Sequence, residues 1–226
     1  MIVKSINGSG GGLMLVNLYT KQHRNSIYEI QHKSRITNKE IYVRLHMSDI
    51  ADFFVGKYDK FVELAEKRVP RPEGVEYPIW CSISRDNCMK PDEKSIVYCL
   101  QVPYEYVIYF SSIKWDYVLN NLYIGKDPED EKIFNNKLKA CGIKNRFSMV
   151  NGKYGGYFPD LDQEIIASWD RIFDIDEWDE FKVQANIWEI KEDWIKHIIY
   201  PGQDLHEIAS DMGDDLEGHR QAREKD

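Results

Sequence analysis

A β-rich stretch that is divided by a proline constrains the fold of this chain most. Ile96–Val102 is rich in β-branched and aromatic residues, Pro103 interrupts the pattern, and Tyr106–Phe110 resumes it. Proline has no amide hydrogen to donate to a strand ladder, so it ends the first strand and turns the chain into the second. Tyr77–Ser84 has the composition of another strand. The chain is therefore predicted to build a sheet around its middle.

Two helices with clear end signals follow these strands. Ser111 or Ser112 is placed to cap the first helix, because a hydroxyl at this position accepts a hydrogen bond from a free amide of the first turn. Asp127 and Pro128 open the second helix, which has proline at its first position, acidic residues in its first turn and Gly142 just past its end. This pattern is nearly diagnostic of a helix.

The first seventy residues carry weaker signals. Leu13–Thr20 is apolar enough for a buried strand, Ser26–Gln31 favours a short helix, and Ser34–Lys39 is typical of a polar turn. From Ser48, which is placed to cap, apolar residues recur at three-to-four spacing and predict an amphipathic helix that ends near Val69. The predicted buried face of this helix consists of Ile50, Phe53, Phe54, Phe61, Val62 and Ala65.

The chain divides into three parts on composition. Residues 1–12 end in a Gly/Ser-rich run, which predicts a flexible lead-in. Residues 13–200 hold the periodic segments and predict a single α+β domain, with an antiparallel or mixed sheet and several amphipathic helices. Residues 201–226 are acidic and weakly apolar, which predicts a mobile tail or a marginal helix.

Net charge and hydropathy limit the class of partner. The formal net charge of −8 argues against nucleic acid, because phosphate-driven binding needs a basic face. No run approaches the roughly 20 apolar residues of a membrane span. The first twelve residues contain one lysine and then a Gly/Ser run, which is not typical of a secretory signal. We therefore expect a cytoplasmic protein that binds neither membranes nor nucleic acid.

The cysteines and histidines lack the spacing of a metal site. Cys81, Cys88, Cys99 and Cys141 form no CxxC pair, and no two histidines share a helical face in an HExxH pattern. We expect isolated thiols in a reducing compartment and no bound metal.

A strand late in the chain has an unusual polar-aromatic face. Over Phe181–Ile190 apolar side chains, beginning with Phe181, alternate with Gln184, Asn186 and Trp188, which a regular strand points to one side. Two amides beside an indole are suited to lining a ligand cleft. Two plainer outcomes stay open: a helix covers this face, or its groups reach solvent.

Five blocks of sequence resemble a known family. The blocks lie at Leu18–Gln22, Arg68–Trp80, Val102–Asn120, Ser168–Asp174 and Gln184–Ile190. Together they resemble a family of bacterial and phage proteins that is known only as a domain of unknown function. The resemblance runs over roughly 15–200 and implies no activity.

The layout of these blocks is in turn similar to an ADP-ribosyltransferase-type fold. This fold-level likeness implies a pocket for NAD or a related nucleotide. It assigns the catalytic position to Gln184 and implies that Tyr19, Thr20 and Gln22 lie near the nicotinamide ribose and Trp80 near a second motif. Asn186 and Trp188, which share the strand face of Gln184, complete the six candidate cofactor-binding residues.

One departure from the transferase pattern concerns the catalytic position. Active transferases have a glutamate where this chain has Gln184, because a carboxylate stabilises the positive charge that develops as nicotinamide leaves. An amide supplies no compensating charge, and Glu189 faces the other side of a regular strand. The resemblance therefore implies a transferase that is weak, or inactive with a retained nucleotide pocket.

The alternative hypothesis is a non-enzymatic interaction protein, such as a bacterial or phage defence factor, that docks on a macromolecular partner. The chain has no complete catalytic set, and its 6 Trp and 14 Tyr residues are of the kinds that anchor protein interfaces. The two hypotheses differ in one geometric expectation. The transferase requires Tyr19, Trp80 and Gln184 to meet around one open cavity.

Overall fold

The fold is built on a six-stranded sheet in which hydrogen-bonded neighbours run antiparallel. A computed structural model describes residues 14–224, without the side chain of residue 46, so the predicted lead-in over 1–12 lies outside the described residues. In chain order the strands are β1 (Leu15–His23), β2 (Arg35–Thr37), β3 (Ile79–Ser82), β4 (Ser95–Pro103), β5 (Ile108–Ser111), β6 (Val183–Ile187), β7 (Glu189–Lys191) and β8 (Ile195–Ile199). The large sheet has the order β5-β6-β3-β1-β4-β8, and β2 pairs separately with β7.

Helices lie before, between and after these strands. They are α1 (Ser26–Lys33), α2 (Glu40–Met47), α3 (Ala51–Ala65), α4 (Ser112–Leu119), α5 (Pro128–Ala140), α6 (Pro159–Ser168), α7 (Leu205–Ile208) and α8 (Glu217–Arg223). The prediction of an α+β fold with an antiparallel sheet is confirmed.

Local end signals placed two of these helices correctly. The Ser111 side chain accepts a hydrogen bond from the Lys114 amide at 3.3 Å at the start of α4. The Asp127 carboxylate accepts one from the Asp130 amide at 2.8 Å at the start of α5. Gly142, just past α5, has φ of 73°, a left-handed conformation that glycine adopts without steric cost.

The region before α3 differs from its prediction. A separate helix, α2, precedes a 3-10 turn, and Ser48 ends α2 by donating its main-chain amide to the Arg44 carbonyl oxygen. The N-cap of α3 is Ile50, without a side-chain hydrogen bond. The predicted buried face of α3 is right for Phe61, Val62 and Ala65 but wrong for Ile50 and Phe53, which are 57% and 45% exposed. In the first turns of α3 the buried residues are instead Ala51 and Val55. The side of a helix on which a residue lies follows from its position along the helix, and Phe53 lies on the outer side.

The core lies on both faces of the sheet. On one face α3, α4 and α6 cover side chains such as Phe110. On the opposite face Leu18, Tyr98 and Ala185 form a second cluster. β1 and β4 are paired over nine residues, whereas β1 touches β3 at a single pair, Tyr19 with Ser82. The sheet is therefore narrowly joined between β1 and β3.

The late strand is shorter than predicted. β6 ends at Ile187, and β7 then leaves the large sheet to pair with β2. Phe181, predicted on the buried face, precedes the strand and is 59% exposed. Glu189 does not replace Gln184, because it lies in β7 and pairs with Arg35 at 3.3 Å.

The prediction for residues 201–226 left a mobile tail or a marginal helix open, and over residues 201–224 the structure shows short helices that pack on the domain. This segment contains α7 and α8, and its side chains Leu205, Ala209, Met212, His219 and Ala222 are buried. Hydrogen bonds to β1 and to the loop after β3 hold it in place. The sequence alone did not predict this docking, because the segment has few apolar residues and most of its polar anchors lie far away along the chain. We call residues 201–224 the C-terminal segment.

Candidate functional site

The polar-aromatic face of β6 is covered by other parts of the domain. Gln184 and Asn186 point away from the cluster that holds Val183 and Ala185, as predicted. Trp188 is 3% exposed, and its indole Nε1 donates to the main-chain oxygen of Val69 at 2.8 Å. Asn186 is also fully buried whereas Gln184 is half-buried, so other parts of the domain cover most of this face and leave Gln184 partly exposed.

Trp80 lies in a cluster of aromatic rings. Its ring centroid is 5.1 Å from that of Phe110, 5.2 Å from Phe61, 5.4 Å from Trp115 and 5.5 Å from Tyr58. These rings come from β5, α3 and α4, and such edge and tilted contacts are favourable. Trp80 is thus part of the packing between the sheet and its helices.

Asn186 is the cross-strand neighbour of Trp80 and of Ile108. Its side chain is fully buried, and neither its amide nitrogen nor its amide oxygen has a hydrogen-bond partner among the described residues. Burying an amide without partners costs about 1 to 3 kcal/mol, so such a group requires an explanation. It is the feature of this face that points most directly to a missing polar partner.

Tyr19, Thr20 and Gln22 do not form one subsite. Tyr19 is fully buried, and the buried side chains packed with it include Val97 of β4 and Leu205 of the C-terminal segment. Successive residues of a strand face opposite sides, so Thr20 and Gln22 lie on the other face. The Thr20 hydroxyl donates to the main-chain oxygen of Trp80 at 2.7 Å, and the Gln22 amide donates to the Thr20 hydroxyl at 2.8 Å. Thr20 therefore bridges the narrow junction between β1 and β3, and Gln22 supports Thr20 from the same strand.

The structure does not bring Tyr19, Trp80 and Gln184 together around a cavity. Tyr19 and half-buried Gln184 both neighbour Ser82 on one face. Tyr19 is sealed by the C-terminal segment, whereas Trp80 is half-buried and packs against the helices. Two cavities of the described surface, of about 10 and 390 Å³, are lined by other residues. The predicted convergence is wrong, because different elements cover the two halves of this face.

A charged latch holds the C-terminal segment over Tyr19. The Tyr19 hydroxyl donates to the Asp215 carboxylate at 2.5 Å, and the main-chain amide and Nε of Arg85 donate to it at 2.7 and 3.1 Å. The other guanidinium nitrogens donate to the main-chain oxygens of Ala209 and Gly213 at 2.9 and 2.6 Å. Burial and the adjacent carboxylate raise the pKa of Tyr19 well above its usual range. We call Tyr19, Arg85 and Asp215 the latch.

His219 forms a second anchor of the same segment. Its Nε2 lies 2.9 Å from the main-chain oxygen of Asn17, and its Nδ1 lies 2.6 Å from the Tyr109 hydroxyl. A carbonyl oxygen only accepts, so Nε2 carries the hydrogen and the Tyr109 hydroxyl donates to Nδ1 in the neutral ring. Burial lowers the pKa of His219 to about 4.

Large apolar side chains are exposed on α2, on the 3-10 turn that follows it and on the first turn of α3. Leu45 is 74% exposed, Ile50 57%, Ile41 54%, Phe53 45% and Tyr42 43%. We call these five residues the α2–α3 apolar face. Arg44 of α2 contacts the Asp52 carboxylate at 2.6 Å, which ties the two helices side by side. The spacing of Ile41 and Leu45 was visible in the sequence, but α2 was missed because its stretch follows a polar turn and lacks a capping side chain.

An acidic groove includes Glu40, the first residue of α2. It has a volume of about 390 Å³, and its charged lining consists of Glu40, Asp59, Glu63, Glu66, Glu76 and Arg71. Five carboxylates surround one guanidinium, which itself pairs with Glu66 at 3.2 Å. A basic ligand therefore matches the charge of this groove better than an acidic one.

Lys57 is a buried cation on the inner side of α3. Its ammonium donates to the Asn121 side chain and lies 4.3 Å from the centre of the Trp169 ring. It pairs with no carboxylate among the described residues. Burial lowers the pKa of Lys57 to about 8.

The described residues contain neither a metal-binding cluster nor a helix suited to span a membrane. Between residues 14 and 224 no group of three or more His, Cys, Asp or Glu side chains is arranged to hold a metal ion. Among the helices of that range, none is long and apolar enough to cross a membrane.

Comparison with known proteins places the chain in a family. A family model described as a domain of unknown function, DUF3841, matches residues 17–196. No curated protein and no solved structure matches the chain significantly. The predicted resemblance to a family without known function is confirmed, whereas the likeness to ADP-ribosyltransferases gains no support from these comparisons. The C-terminal segment and the Asp215 side of the latch lie beyond the matched residues. This chain belongs to the DUF3841 family.

Proposed function

We propose that this domain works as an interaction module, and that it docks through the α2–α3 apolar face on a basic, amphipathic segment of a partner protein. The observation that carries the proposal is the exposure of Ile41, Leu45 and Ile50 on adjoining elements, each more than half exposed. Clustered large apolar side chains on a soluble domain are typical of interaction sites.

The charge beside this face sets the chemistry of the partner. A peptide that lays leucine-like side chains on Leu45 and Ile41 brings its flanking residues over the groove that begins at Glu40. Lysine or arginine at those flanking positions meets the carboxylates of Asp59 and Glu76, which accept hydrogen bonds from the Tyr77 hydroxyl and the Glu40 amide, whereas acidic residues are repelled. Helical segments that place an apolar face on a partner and charges at its edges are a common recognition mode.

The test uses synthetic peptides of defined composition. A fluorescent Lys/Leu amphipathic helix is titrated with the protein, and the same helix with Glu in place of Lys is the control probe. We expect Leu45→Glu to weaken binding of the Lys/Leu helix at least about tenfold, since a charge is placed in the centre of the contact. The matched variant Ile133→Glu changes a residue of similar exposure (49%) on α5 and should bind as the wild type does.

Two outcomes count against the proposal. Equal binding by the wild type, Leu45→Glu and Ile133→Glu shows only attraction to the net negative charge of the protein. If the wild type does not bind the Lys/Leu helix at high micromolar concentration, the α2–α3 apolar face is not a docking site for such a segment.

Nucleotide binding of ADP-ribosyltransferase type is a second candidate, which one observation favours. The buried amide of Asn186 lacks partners beside the Trp80 ring, and an amide next to an indole suits a planar heteroaromatic ring. Separate covers over Tyr19 and Trp80 weigh against it, and so does the amide of Gln184 in the catalytic position. Calorimetry with NAD at millimolar concentration tests this candidate. Binding heat that is lost in Asn186→Leu supports a nucleotide pocket, and the absence of binding heat with the wild type rules the candidate out.

A further inference from the structure

The C-terminal segment is held at one point by a single anionic side chain. Asp215 accepts hydrogen bonds from the Tyr19 hydroxyl at 2.5 Å and from the amide and Nε of Arg85 at 2.7 and 3.1 Å. The side chains of Arg85 and Asp215 are 15% and 13% exposed, so the pair is largely removed from water. Converging donors that include a guanidinium and a main-chain amide are the elements of an anion-binding site.

The donors and the acceptor belong to different parts of the chain. Tyr19 and Arg85 lie within the residues that match the family, 17–196, and Asp215 lies beyond them. The donor side of the latch is therefore a property of the family domain in this chain. The carboxylate reaches it from a segment that follows that domain.

The C-terminal segment has little structure of its own. α7 has four residues and α8 has seven, and helices this short are not stable in water without tertiary contacts. Gly213, with φ of 77°, separates the two helical parts. β1 and β4 beneath the segment are paired over nine residues without its help. The segment can therefore open at lower cost than the sheet unfolds.

The surface beneath the segment is apolar around the latch. Leu205, Ala209 and Met212 pack there on the fully buried side chains of Tyr19, Val97, Cys99 and Ile199. A ligand that replaces the segment must offer both an anion for Arg85 and apolar side chains for this surface. An acidic, partly apolar peptide has both features, and a free phosphate has only the first.

We propose that Tyr19 and Arg85 form an anion-binding site of this domain, which the C-terminal segment occupies in cis through Asp215 and which an acidic, partly apolar peptide of a partner occupies once the segment is displaced. The segment thus acts as an autoinhibitory strap. This site lies apart from the α2–α3 apolar face, so it does not depend on the proposed function.

The test compares full-length variants. Asp215→Ala weakens the strap, the double variant Arg85→Ala with Asp215→Ala also removes the site, and Asp211→Ala is the control. Asp211 lies on the same segment but pairs with His197 at 2.7 Å and does not touch Arg85. The probes are a labelled peptide of residues 203–224, the same peptide with Asp215→Ala, and inorganic phosphate.

Hydrogen exchange and peptide titration give the expected results. In Asp215→Ala, amides of 205–223 exchange at least about tenfold faster while β1 and β4 keep their protection, because the strap opens locally. The peptide binds this variant at least about tenfold more tightly than it binds the wild type or Asp211→Ala, since its competitor in cis is weakened. The double variant, with β1 and β4 still protected, does not bind.

Three results overturn the proposal. Loss of protection in β1 and β4 together with the strap shows that the segment is an integral part of the fold. Equal binding of the peptide that lacks Asp215 shows that the carboxylate is not the recognised group. Displacement of the labelled peptide from Asp215→Ala by inorganic phosphate at the same concentration as unlabelled peptide assigns the site to a free anion instead, because phosphate makes no apolar contacts.

Discussion

Tyr19 and Asp215, which are 196 residues apart in the sequence, are joined by a hydrogen bond of 2.5 Å that closes the C-terminal segment over the sheet. Tyr19 lies at the single pair that joins β1 to β3, so this contact ties the end of the chain to the narrowest part of the sheet. Arg85 shares the same carboxylate, which makes the contact charge-assisted.

Removal of the Tyr19 hydroxyl should lower stability while the ring packing is kept. Tyr19→Phe removes one of the donors to Asp215, and a hydrogen bond to a charged group contributes about 1.5 to 3 kcal/mol. Urea unfolding measures the loss. Tyr98→Phe is the matched control, because Tyr98 is equally buried on the neighbouring strand but its hydroxyl meets only that of Ser26 at 2.9 Å. If Tyr19→Phe lowers the free energy of unfolding no more than Tyr98→Phe does, the hydrogen bond to Asp215 does not stabilise the fold more than an ordinary hydroxyl contact.

His219 should make the protein less stable as the pH falls from about 6.5 to 4. Its pKa is about 4 in the folded protein and 6.5 in its ordinary state, so the unfolded chain takes up the proton first. The free energy of unfolding is therefore highest, as far as His219 is concerned, above pH 6.5. It falls between pH 6.5 and pH 4 and no longer changes below pH 4. The total loss is about 3 kcal/mol for a pKa shift of this size. Urea unfolding across this range should show a shallower slope for His219→Gln, which does not titrate. Parallel curves for the two proteins would contradict the assignment.

Replacement of Asn186 by leucine should raise stability. The change removes an amide that is buried without a hydrogen-bond partner among the described residues and keeps the branched shape of the side chain. Removal of the unpaired amide is expected to stabilise the fold by about 1 to 3 kcal/mol. Asn17→Leu serves as the control, because the Asn17 amide donates to the main-chain oxygen of Met212 at 2.9 Å and its loss should destabilise. Thermal unfolding that ranks Asn186→Leu below the wild type would show that Asn186 has a partner in solution.

Replacement of Lys57 by methionine should raise stability at pH 7 and remove a pH dependence. The pKa of Lys57 is about 8 instead of 10.5, so the folded protein loses this proton first and its stability rises between pH 8 and 10.5. Methionine fills the same space without a charge to desolvate, and we expect a gain of about 1 to 3 kcal/mol at pH 7. Lys60→Met, which removes an ammonium that is only 22% exposed but paired with Glu63 at 2.7 Å, should give no such gain. Equal responses of the two variants to pH would rule out this role for Lys57.

Elements with signals inside their own sequence were predictable. The helix from Pro128 to Ala140 carries its cap, its proline and its terminal glycine within sixteen residues, so local geometry suffices to define it. The alternation of β6 likewise fixed which side chains share a face. α2 was missed because it has no capping side chain, and it is held by packing against α3 and the turn between them.

For the candidate site, the sequence predicted which side chains share a strand face but not what surrounds them. Alternation correctly put Gln184, Asn186 and Trp188 on one side, yet it also separates Tyr19 from Thr20, which the transferase likeness had grouped. Whether such a face is open or covered depends on helices and segments that come from elsewhere in the chain. The exposed side chains of Ile50 and Phe53 show the same limit, since their apolar character alone predicted burial.

The sequence by itself determined the α+β class, the capped helices, the side on which each strand residue points and the membership in a family. Tertiary structure alone decided what covers those side chains: helices over Trp80, and the C-terminal segment over Tyr19. The physical reason is range. Caps and periodicity act over a few residues through backbone geometry, whereas the partner of a buried polar group is chosen by the folded chain as a whole, as Asp215 is for Tyr19.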